Sequence, residues 1–389
     1  MNHHQLEQVL TQADKLLEGG ELVCVRAPGR VNLIGEHTDY NQGLVVPGAI
    51  DRYMYFAAKP RAGQVIRATA VDTGETISID LTDLKKTSLL WGDFLVGILL
   101  QLEKRGFQLS GFDCMLTSEV PIGAGMSSSA ALECAFLVGL RELFGLQLSR
   151  WDLIDISQAS NHEFLGVKGG ILDQFASLYG KKDEIMVLDC DSRDYRYWSI
   201  PSSNYTWLLI NTCVKHNHVT SGYNDRVREC QQALADIQKV YPATPHLSAI
   251  AKLEDIADVQ FSSETAQKRA NYIIAENQRV RDFTERLSQG DFVACGELLY
   301  ASHQGLSELY EVSCPELDFM VNSIREVEGV LGSRMMGGGF GGCTINLVHK
   351  DSVDTIKTVI DADYKATFGM EAEYYPVAIS DGAGRVEVL

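Results

Sequence analysis

The segment PIGAGMSSSAALE, residues 121–133, decides how this sequence folds, because glycines and serines here join a predicted strand to a long apolar helix. Glycines let the backbone approach a ligand closely, and the first turn of a helix presents unpaired N–H groups at its positive end. Both features favour the binding of a phosphate group. The alternative is that the serines only cap the helix. Three consecutive serines exceed what a cap requires, so we favour the phosphate site.

The candidate phosphate-binding positions are seven consecutive residues of this loop. They are Gly123, Ala124, Gly125, Met126, Ser127, Ser128 and Ser129. The serine hydroxyls suit phosphate oxygens or a magnesium ion. The sequence has neither a G-x-x-x-x-G-K-[ST] motif nor the H-R-D and D-F-G elements of protein kinases. If ATP binds this chain, a different kind of loop holds it.

Two further segments are ambiguous when each is taken alone. The glycine run at residues 337–342 precedes a predicted strand at 344–348, and by itself indicates only a hinge or an irregular strand entry. The segment GGILDQ, residues 169–174, places Asp173 at the start of a predicted helix. There Asp173 either stabilises the helix dipole or acts as a base or electrostatic partner in a phosphate site.

Polar groups are concentrated in GRVNLIGEHTDYN, residues 29–41. Glu36, His37 and Asp39 offer the paired donors and acceptors that a neutral polyol requires. Arg30 is a permanent cation that could face a transferring phosphoryl group. A solvated turn with an isolated arginine is equally compatible with this stretch alone.

Composition excludes several classes of protein. The chain has 389 residues, 45% of them hydrophobic, and a net charge of −18, which argues against general binding to nucleic acid or anionic membranes. Nine scattered cysteines without a C-x-x-C pair favour free thiols in a reducing compartment. The N-terminus lacks the pattern of a signal peptide, and the apolar runs are too short to span a bilayer. We therefore expect a cytoplasmic protein without a membrane or nucleic-acid partner.

The length of 389 residues favours two domains, possibly three, and the pattern of predicted strands and helices makes the second half α+β. A helix is predicted at residues 6–17, and a strand starts at residue 22 and ends at Pro28-Gly29. Later helices are predicted at 91–104, 151–164, 172–179, 223–240, 264–287, 292–309 and 316–330. We place one domain at residues 1–180 and the other at 181–389, with the last strands able to return to the first.

Three segments together resemble one family. GRVNLIGEHTDYN resembles the galactokinase signature, PIGAGMSSSAALE resembles the second motif of the GHMP small-molecule kinases, and GGGFGG resembles their third. WGDFLVG, GGILDQF and SGYNDR extend the resemblance over nearly the whole chain. It implies a two-lobed α+β fold: a ribosomal-S5-type N-terminal α/β domain, a ferredoxin-like C-terminal α+β domain, and an active site in the cleft.

The resemblance also implies a reaction, the ATP-dependent phosphorylation of D-galactose at its anomeric hydroxyl to galactose 1-phosphate, in galactose catabolism. Asp173 would orient this hydroxyl or take its proton, and Arg30 would stabilise charge. Trp91 would lie near the adenine, residues 123–129 around the ATP phosphates, and Ser129 on Mg²⁺. The residues implied to hold the sugar are Glu36, His37, Thr38, Asp39 and Tyr223.

The sequence departs from the family pattern at two places. Asn161 stands where an acidic residue associated with magnesium is expected, and Glu163 would point to nearly the opposite side of a helix. Lys168-Gly169 differs from the small or polar pair expected before Gly170. The departure at Asn161 leaves the second protein ligand of the metal open, and the one at Lys168-Gly169 implies a different approach to Asp173.

Two alternatives to a galactose kinase stay open at this point. One is a related kinase acting on N-acetylgalactosamine, arabinose or galacturonate. The other is a catalytically silent sensor of galactose and ATP, which the intact serine motif disfavours. In either case the partners are small molecules, and we expect a monomer or a weak oligomer.

Overall fold

The computed structural model describes residues 11, 13, 21–200, 204–214 and 219–386. The helix predicted at 6–17 lies almost wholly outside these residues. The strands are β1 (Val23–Asn32), β2 (Leu44–Val45), β3 (Pro47–Pro60), β4 (Val65–Ala70), β5 (Glu75–Asp80), β6 (Phe112–Ser118), β7 (Glu184–Asp189), β8 (Tyr195–Ser199), β9 (Tyr205–Asn211), β10 (Val330–Met335), β11 (Cys343–His349), β12 (Glu373–Val377) and β13 (Gly384–Arg385). The α-helices are α1 (Leu90–Lys104), α2 (Ser128–Phe144), α3 (Arg150–Ser160), α4 (Leu172–Tyr179), α5 (Val219–Val240), α6 (Glu264–Ser288), α7 (Phe292–Glu308), α8 (Pro315–Ile324) and α9 (Val353–Phe368).

The first lobe is a mixed six-stranded sheet covered by helices. The strand order is β13-β1-β3-β6-β4-β5, and α2 packs across β1 and β3. Phe56, Phe112 and Phe136 lie within ring-contact distance of one another between the sheet and α2. Gly139 of α2 lies against the ring of Phe56, where a Cβ atom would overlap the ring. This close packing fixes the start of α2, and with it the serine loop, over the end of the sheet.

The second lobe confirms the ferredoxin-like arrangement. Along the chain the order is β9, a set of helices, β10, β11, α9 and β12. The four strands form one antiparallel sheet in the order β10-β11-β9-β12. A β-α-β-β-α-β unit with this spatial order is the ferredoxin-like topology. The GHMP-type pair of lobes expected from the sequence is therefore confirmed.

Three predicted element boundaries were wrong. β1 does not end at Pro28-Gly29 but continues to Asn32, and its pairing with β3 shifts register between Pro28 and Arg30. The helix predicted at 316–330 ends at Ile324, and residues 330–335 form strand β10 instead. The helix predicted at 151–164 runs from residue 150 only to Ser160 and is followed by a π-helical turn, Asn161–Leu165. Such turns often occur at functional sites, because they redirect side chains.

Two strands from the second half of the chain pair with strands of the first half. β7 pairs with β2, and β13 pairs with β1, so both segments join the first lobe. The division at residue 180 stays a prediction. The nine cysteines all lie among the described residues, and no disulfide joins any two of them. Among the described residues, the helices are too short or too polar to cross a membrane.

Candidate active site

Two adjoining cavities lie between the lobes. The inner cavity has a volume of about 340 Å³, and the outer cavity has a volume of about 680 Å³. Seven of the predicted site residues line the inner cavity: Arg30, Glu36, His37, Asp39, Ser129, Asp173 and Tyr223. The outer cavity is lined by both glycine loops, by the serines and by Trp91. Arg30 and Ser129 line both cavities and mark where they meet.

A hydrogen-bonded group of three side chains stands at this meeting point. Arg30 Nε donates to Asp173 Oδ1 at 2.7 Å, and Ser127 Oγ donates to Asp173 Oδ2 at 2.5 Å. Arg30 Nη1 also donates to the Gly125 carbonyl at 2.5 Å. The guanidinium group is buried, whereas the Asp173 side chain is 35% exposed. Asp173 is thus held in one orientation while its carboxylate stays accessible from the cavity.

The serine loop has the backbone of a ligand-binding turn. Ser127 has a φ of 58°, and its side chain makes no capping hydrogen bond to α2. The left-handed conformation is uncommon for a residue with a side chain and indicates local strain. Gly125, with a φ of +74°, faces backbone atoms of residues 336 and 343 in the second glycine loop. The Ser127 side chain therefore does not cap the helix, which was the alternative to a phosphate site. Ala124 and Met126 are buried and support the loop from beneath.

Glu36 joins the first lobe to the second glycine run. Its Oε1 accepts from the Gly337 N–H at 2.7 Å and from Arg334 Nη2 at 3.3 Å. Its Oε2 accepts from Asn32 Nδ2 at 2.9 Å. Glu36 and Arg334 are both buried, so each charge is compensated by the other. The glycine run is therefore more than a hinge, because it is anchored to the predicted sugar-binding segment.

His37 lies in an aromatic group with Tyr40, Tyr310 and Tyr223. Its Nδ1 is 2.8 Å from the Tyr40 hydroxyl, which lies 2.7 Å from the Tyr310 hydroxyl. The Tyr223 ring centre is 5.5 Å from that of His37. Burial, followed by the charge of Arg226, lowers the pKa of His37 to about 3, so the imidazole is neutral at pH 7. Nε2 is buried without a hydrogen-bond partner, which leaves one polar atom available for a ligand.

Asp39 lies against the loop that precedes Asp173. A Cβ atom at Gly170 would overlap the Asp39 carboxylate, so only glycine allows the two loops to come this close. Burial, and then the negative charge of Asp173, raises the pKa of Asp39 to about 7. Near pH 7 this carboxyl can therefore either donate or accept a hydrogen bond.

The predicted residues Thr38 and Trp91 differ in position, because only Trp91 lines one of the two cavities. Thr38 is buried and does not line either cavity, and its hydroxyl lies 2.8 Å from the Gly35 carbonyl and 2.7 Å from that of Leu44. Its contacts brace the turn that presents His37 and Asp39. Trp91 lines the outer cavity, and its indole N–H donates to Glu75 Oε2 at 3.0 Å.

Glu133 also lines the inner cavity, although the sequence motifs did not indicate it. Its Oε2 is within hydrogen-bond distance of Ser157 (2.6 Å), Gln174 (3.2 Å) and Asn161 (3.3 Å). Its Oε1 is buried without a partner. Burial raises the pKa of Glu133 to about 7. Its position four residues after Ser129, on the same face of α2, was a usable signal, because residues four apart are neighbours on a helix.

Comparisons with known proteins agree with this arrangement. Residues 93–181 match the GHMP kinases N terminal domain, residues 283–366 match the GHMP kinases C terminal domain, and residues 17–60 match the galactokinase galactose-binding signature. The two lobes and the cleft between them define a GHMP kinase.

The resemblance to individual proteins is closer still. The galactokinase of Thermotoga maritima is 38% identical over 363 residues, which are 93% of this chain and 99% of that protein. The galactokinase of Staphylococcus carnosus is 36% identical over 98% of this chain and 100% of its own length. The crystal structure of Lactococcus lactis galactokinase complexed with galactose superimposes with a TM-score of 0.92 at 32% identity, covering 98% of this chain and 100% of that one. The chain belongs to the galactokinase family.

Proposed function

We propose that this chain transfers the γ-phosphoryl group of ATP to the anomeric hydroxyl of D-galactose, giving galactose 1-phosphate and ADP. The observation that carries the proposal is the group formed by Arg30, Asp173 and Ser127 at the junction of the two cavities. One cavity is lined by groups suited to a polyol, and the other is lined by two glycine loops. Membership of a sugar kinase family supports the same reaction.

The inner cavity supplies the contacts for the sugar. Asp39 can accept from or donate to a pair of hydroxyls, and the free Nε2 of His37 is a further polar contact. Tyr223 forms an apolar wall next to His37. Glu36 keeps its position through its bonds to Arg334 and Gly337, so it anchors the wall of the cavity.

Asp173 acts at the hydroxyl that is phosphorylated. The new bond joins the anomeric oxygen to the γ-phosphorus, while the bond from this phosphorus to the β–γ bridging oxygen breaks. The proton of the hydroxyl passes to Asp173, which Arg30 and Ser127 hold in place. Arg30 also stabilises charge on the phosphoryl oxygens, because it lines both cavities. Positioning of the two reactants supplies much of the rate enhancement in such transfers.

The serine loop and the start of α2 hold the phosphates of ATP. The first turn of α2 carries N–H groups without intrahelical partners, and Ser127, Ser128 and Ser129 line the outer cavity. The exposed Ser129 hydroxyl is an oxygen donor of the kind that Mg²⁺ binds. Ser129 would hold a Mg²⁺ ion together with ATP, and the ion would supply positive charge next to the phosphate oxygens. Trp91, on the wall of the same cavity, offers an aromatic surface for the adenine.

The direct test is ADP release with MgATP and a panel of galactose, glucose, N-acetylgalactosamine, arabinose and galacturonate. We expect fast turnover on galactose and a phosphorus NMR signal of the 1-phosphate. Faster turnover on another sugar of the panel would show that this sugar, and not galactose, is the preferred substrate. Binding of galactose without turnover on any sugar would contradict the proposed kinase activity and would support a sensor of galactose and ATP.

The location and the assembly state complete the proposal. The free cysteines and the net charge of −18 support a cytoplasmic protein, and no second chain is needed to complete the site, which supports a monomer or a weak oligomer. Cell fractionation and sedimentation of the purified chain test these two statements. A stable oligomer at micromolar concentration would contradict the second.

A further inference from the structure

The inner cavity contains a carboxylate that the transfer mechanism leaves unused. Glu133 is 1% exposed, and it is held through one oxygen by three neutral donors: Ser157, Gln174 and Asn161. Its other oxygen, Oε1, is buried and has no hydrogen-bond partner. A buried carboxylate with an unpartnered oxygen costs free energy unless a ligand compensates it. The arrangement therefore points to a cation that enters the site with a substrate.

The other acidic side chains near the serine loop are already engaged. Both oxygens of Asp173 accept hydrogen bonds, from Arg30 and Ser127. Both oxygens of Glu36 accept as well, and one of its donors is an arginine. Glu133 forms no ion pair with a lysine, arginine or histidine of the described part of the chain. Asp39 also lacks an ion pair, but it accepts hydrogen bonds from the backbone N–H groups of Tyr40 and Leu172, so Glu133 is the carboxylate best able to accept a new positive charge.

The surroundings of Glu133 suit a hard divalent cation. Ser129 lies one helical turn earlier on α2, and both residues line the inner cavity. Mg²⁺ prefers oxygen ligands, and it usually takes few of them from the protein and the rest from phosphates and water. In agreement, the residues that the structure describes contain no group of three or more His, Cys, Asp or Glu side chains able to hold a metal alone.

We propose that Glu133 supplies the carboxylate that faces the divalent cation of the nucleotide, with Ser129 beside it and Asn161 fixing its second oxygen. The proposal rests on the function proposed above. It also gives Asn161 a role: the amide donates to Glu133 Oε2, which leaves Oε1 for the cation. A second carboxylate at position 161 would repel Glu133 in the absence of metal, whereas the amide does not.

Manganese binding tests the proposal without relying on turnover. Mn²⁺ is titrated into the protein with ADP, and free Mn²⁺ is measured by electron paramagnetic resonance. We expect Glu133→Gln to weaken Mn²⁺ binding by about 10–100-fold. The amide can turn its oxygen to Ser157, Gln174 and Asn161, so the buried hydrogen bonds are retained. The matched control is Glu163→Gln, because Glu163 is 54% exposed and pairs with Lys104 away from the cavity.

A double variant separates loss of charge from loss of packing. In Glu133→Gln with Asn161→Glu, one carboxylate returns to the same place, and we expect Mn²⁺ affinity to recover to within about threefold of the parent. Failure to recover would assign the effect to packing and overturn the proposal. Unchanged Mn²⁺ affinity in Glu133→Gln would overturn it as well.

A crystal structure of the unaltered protein with Mn²⁺ and ADP decides the matter if Glu133→Gln does not fold. An anomalous peak for Mn²⁺ within about 5 Å of Glu133 Oε1, the reach of one bridging water, is expected. A peak farther away overturns the proposal. The sugar panel tests the proposed function independently of the metal-binding experiment. If the parent phosphorylates galactose but Glu133→Gln binds Mn²⁺ as tightly as the parent, the inference about Glu133 is wrong and the proposed function stands.

Discussion

The inner cavity has two kinds of acidic side chain, and the first kind is paired with arginine. Asp173 is bound by Arg30 at 2.7 Å, and Glu36 is bound by Arg334 at 3.3 Å. Each of these carboxylates also accepts hydrogen bonds from a neutral donor through its other oxygen. Their charge and orientation are fixed before any substrate arrives.

The second kind has no arginine. Neither Asp39 nor Glu133 forms an ion pair with a cationic side chain of the described residues, and burial raises the pKa of each to about 7. This difference in ion pairing indicates that the paired and the unpaired carboxylates have different roles in the site. The carboxylates paired with arginine take part in the reaction or stabilise the walls of the cavity. The carboxylates without an arginine gain a hydrogen-bond or charge partner only when a substrate or a cation binds.

The largest effect is expected at the paired carboxylate closest to the chemistry. Asp173→Asn should lower turnover by about 10²–10⁴-fold, because the amide neither accepts the proton nor carries the charge. Galactose affinity and the unfolding midpoint should stay close to those of the parent, as measured by calorimetry. The control is Asp155→Asn, which breaks another aspartate–arginine pair, with Arg193, outside the inner cavity. Near-normal turnover in Asp173→Asn would contradict the proton-acceptor role.

The second paired carboxylate should act mainly on stability. Arg334→Met removes the only arginine at Glu36 among the described residues and leaves a buried, uncompensated charge. We expect the free energy of unfolding in urea to fall by about 3–5 kcal/mol. Adding Glu36→Gln to this variant should recover part of the loss, because the unpaired charge is then gone. Arg334 also donates to the backbone carbonyls of Asn32, Leu33 and Met335, and a double variant as unstable as the single one would show that these bonds carry the effect instead.

The sequence predicted the paired carboxylates only in part. Arg30 and Asp173 belong to recognisable motifs, and the resemblance to a family brought them together. Arg334 was missed because its partner Glu36 is 298 residues away, and no local pattern signals that contact. The helix predicted at 316–330 also extended past its observed end at Ile324, as far as the first residue of β10. Periodicity reports local structure, whereas ion pairs between lobes depend on the tertiary fold.

The unpaired carboxylates were harder to predict. Asp39 was chosen from the polar density of its segment, but its raised pKa depends on burial by the loop at Gly170. Glu133 was missed because it lies within a long apolar helix and resembles a residue at the helix surface. The π-helical turn that begins at Asn161 had no signal in the spacing. Whether a charged side chain is buried depends on tertiary packing, so it cannot be predicted from the residues next to it in the sequence.

A smaller effect on activity is expected at Gly170, where the lack of a side chain leaves space for the Asp39 carboxylate. Gly170→Ala places a methyl group where the Asp39 carboxylate lies, so Asp39 must move away from the sugar. We expect the KM for galactose to rise by about tenfold with a smaller change in kcat. Gly169→Ala is the matched control, since no atom lies within 4 Å of its added Cβ. Equal effects of the two substitutions would show that loop flexibility, and not Asp39, is responsible.

The smallest effect concerns the pH dependence of stability at Asp39. The pKa of this group rises from 3.8 to about 7 on folding, so the folded state binds the proton more tightly than the unfolded state. Between pH 4 and 7 the unfolded chain carries fewer protons, and the stability contributed by Asp39 therefore falls as pH rises through this window. Asparagine does not titrate, so the Asp39→Asn variant does not lose this stability as pH rises. The difference between its unfolding temperature and that of the parent should therefore increase by about 2 °C between pH 4.5 and pH 7, and should then remain constant. Asp354→Asn, at a side chain that is 96% exposed, should follow the parent at every pH. If the Asp39→Asn curve runs parallel to the parent instead, then Asp39 is compensated in the free protein, and the distinction between paired and unpaired carboxylates fails at this residue.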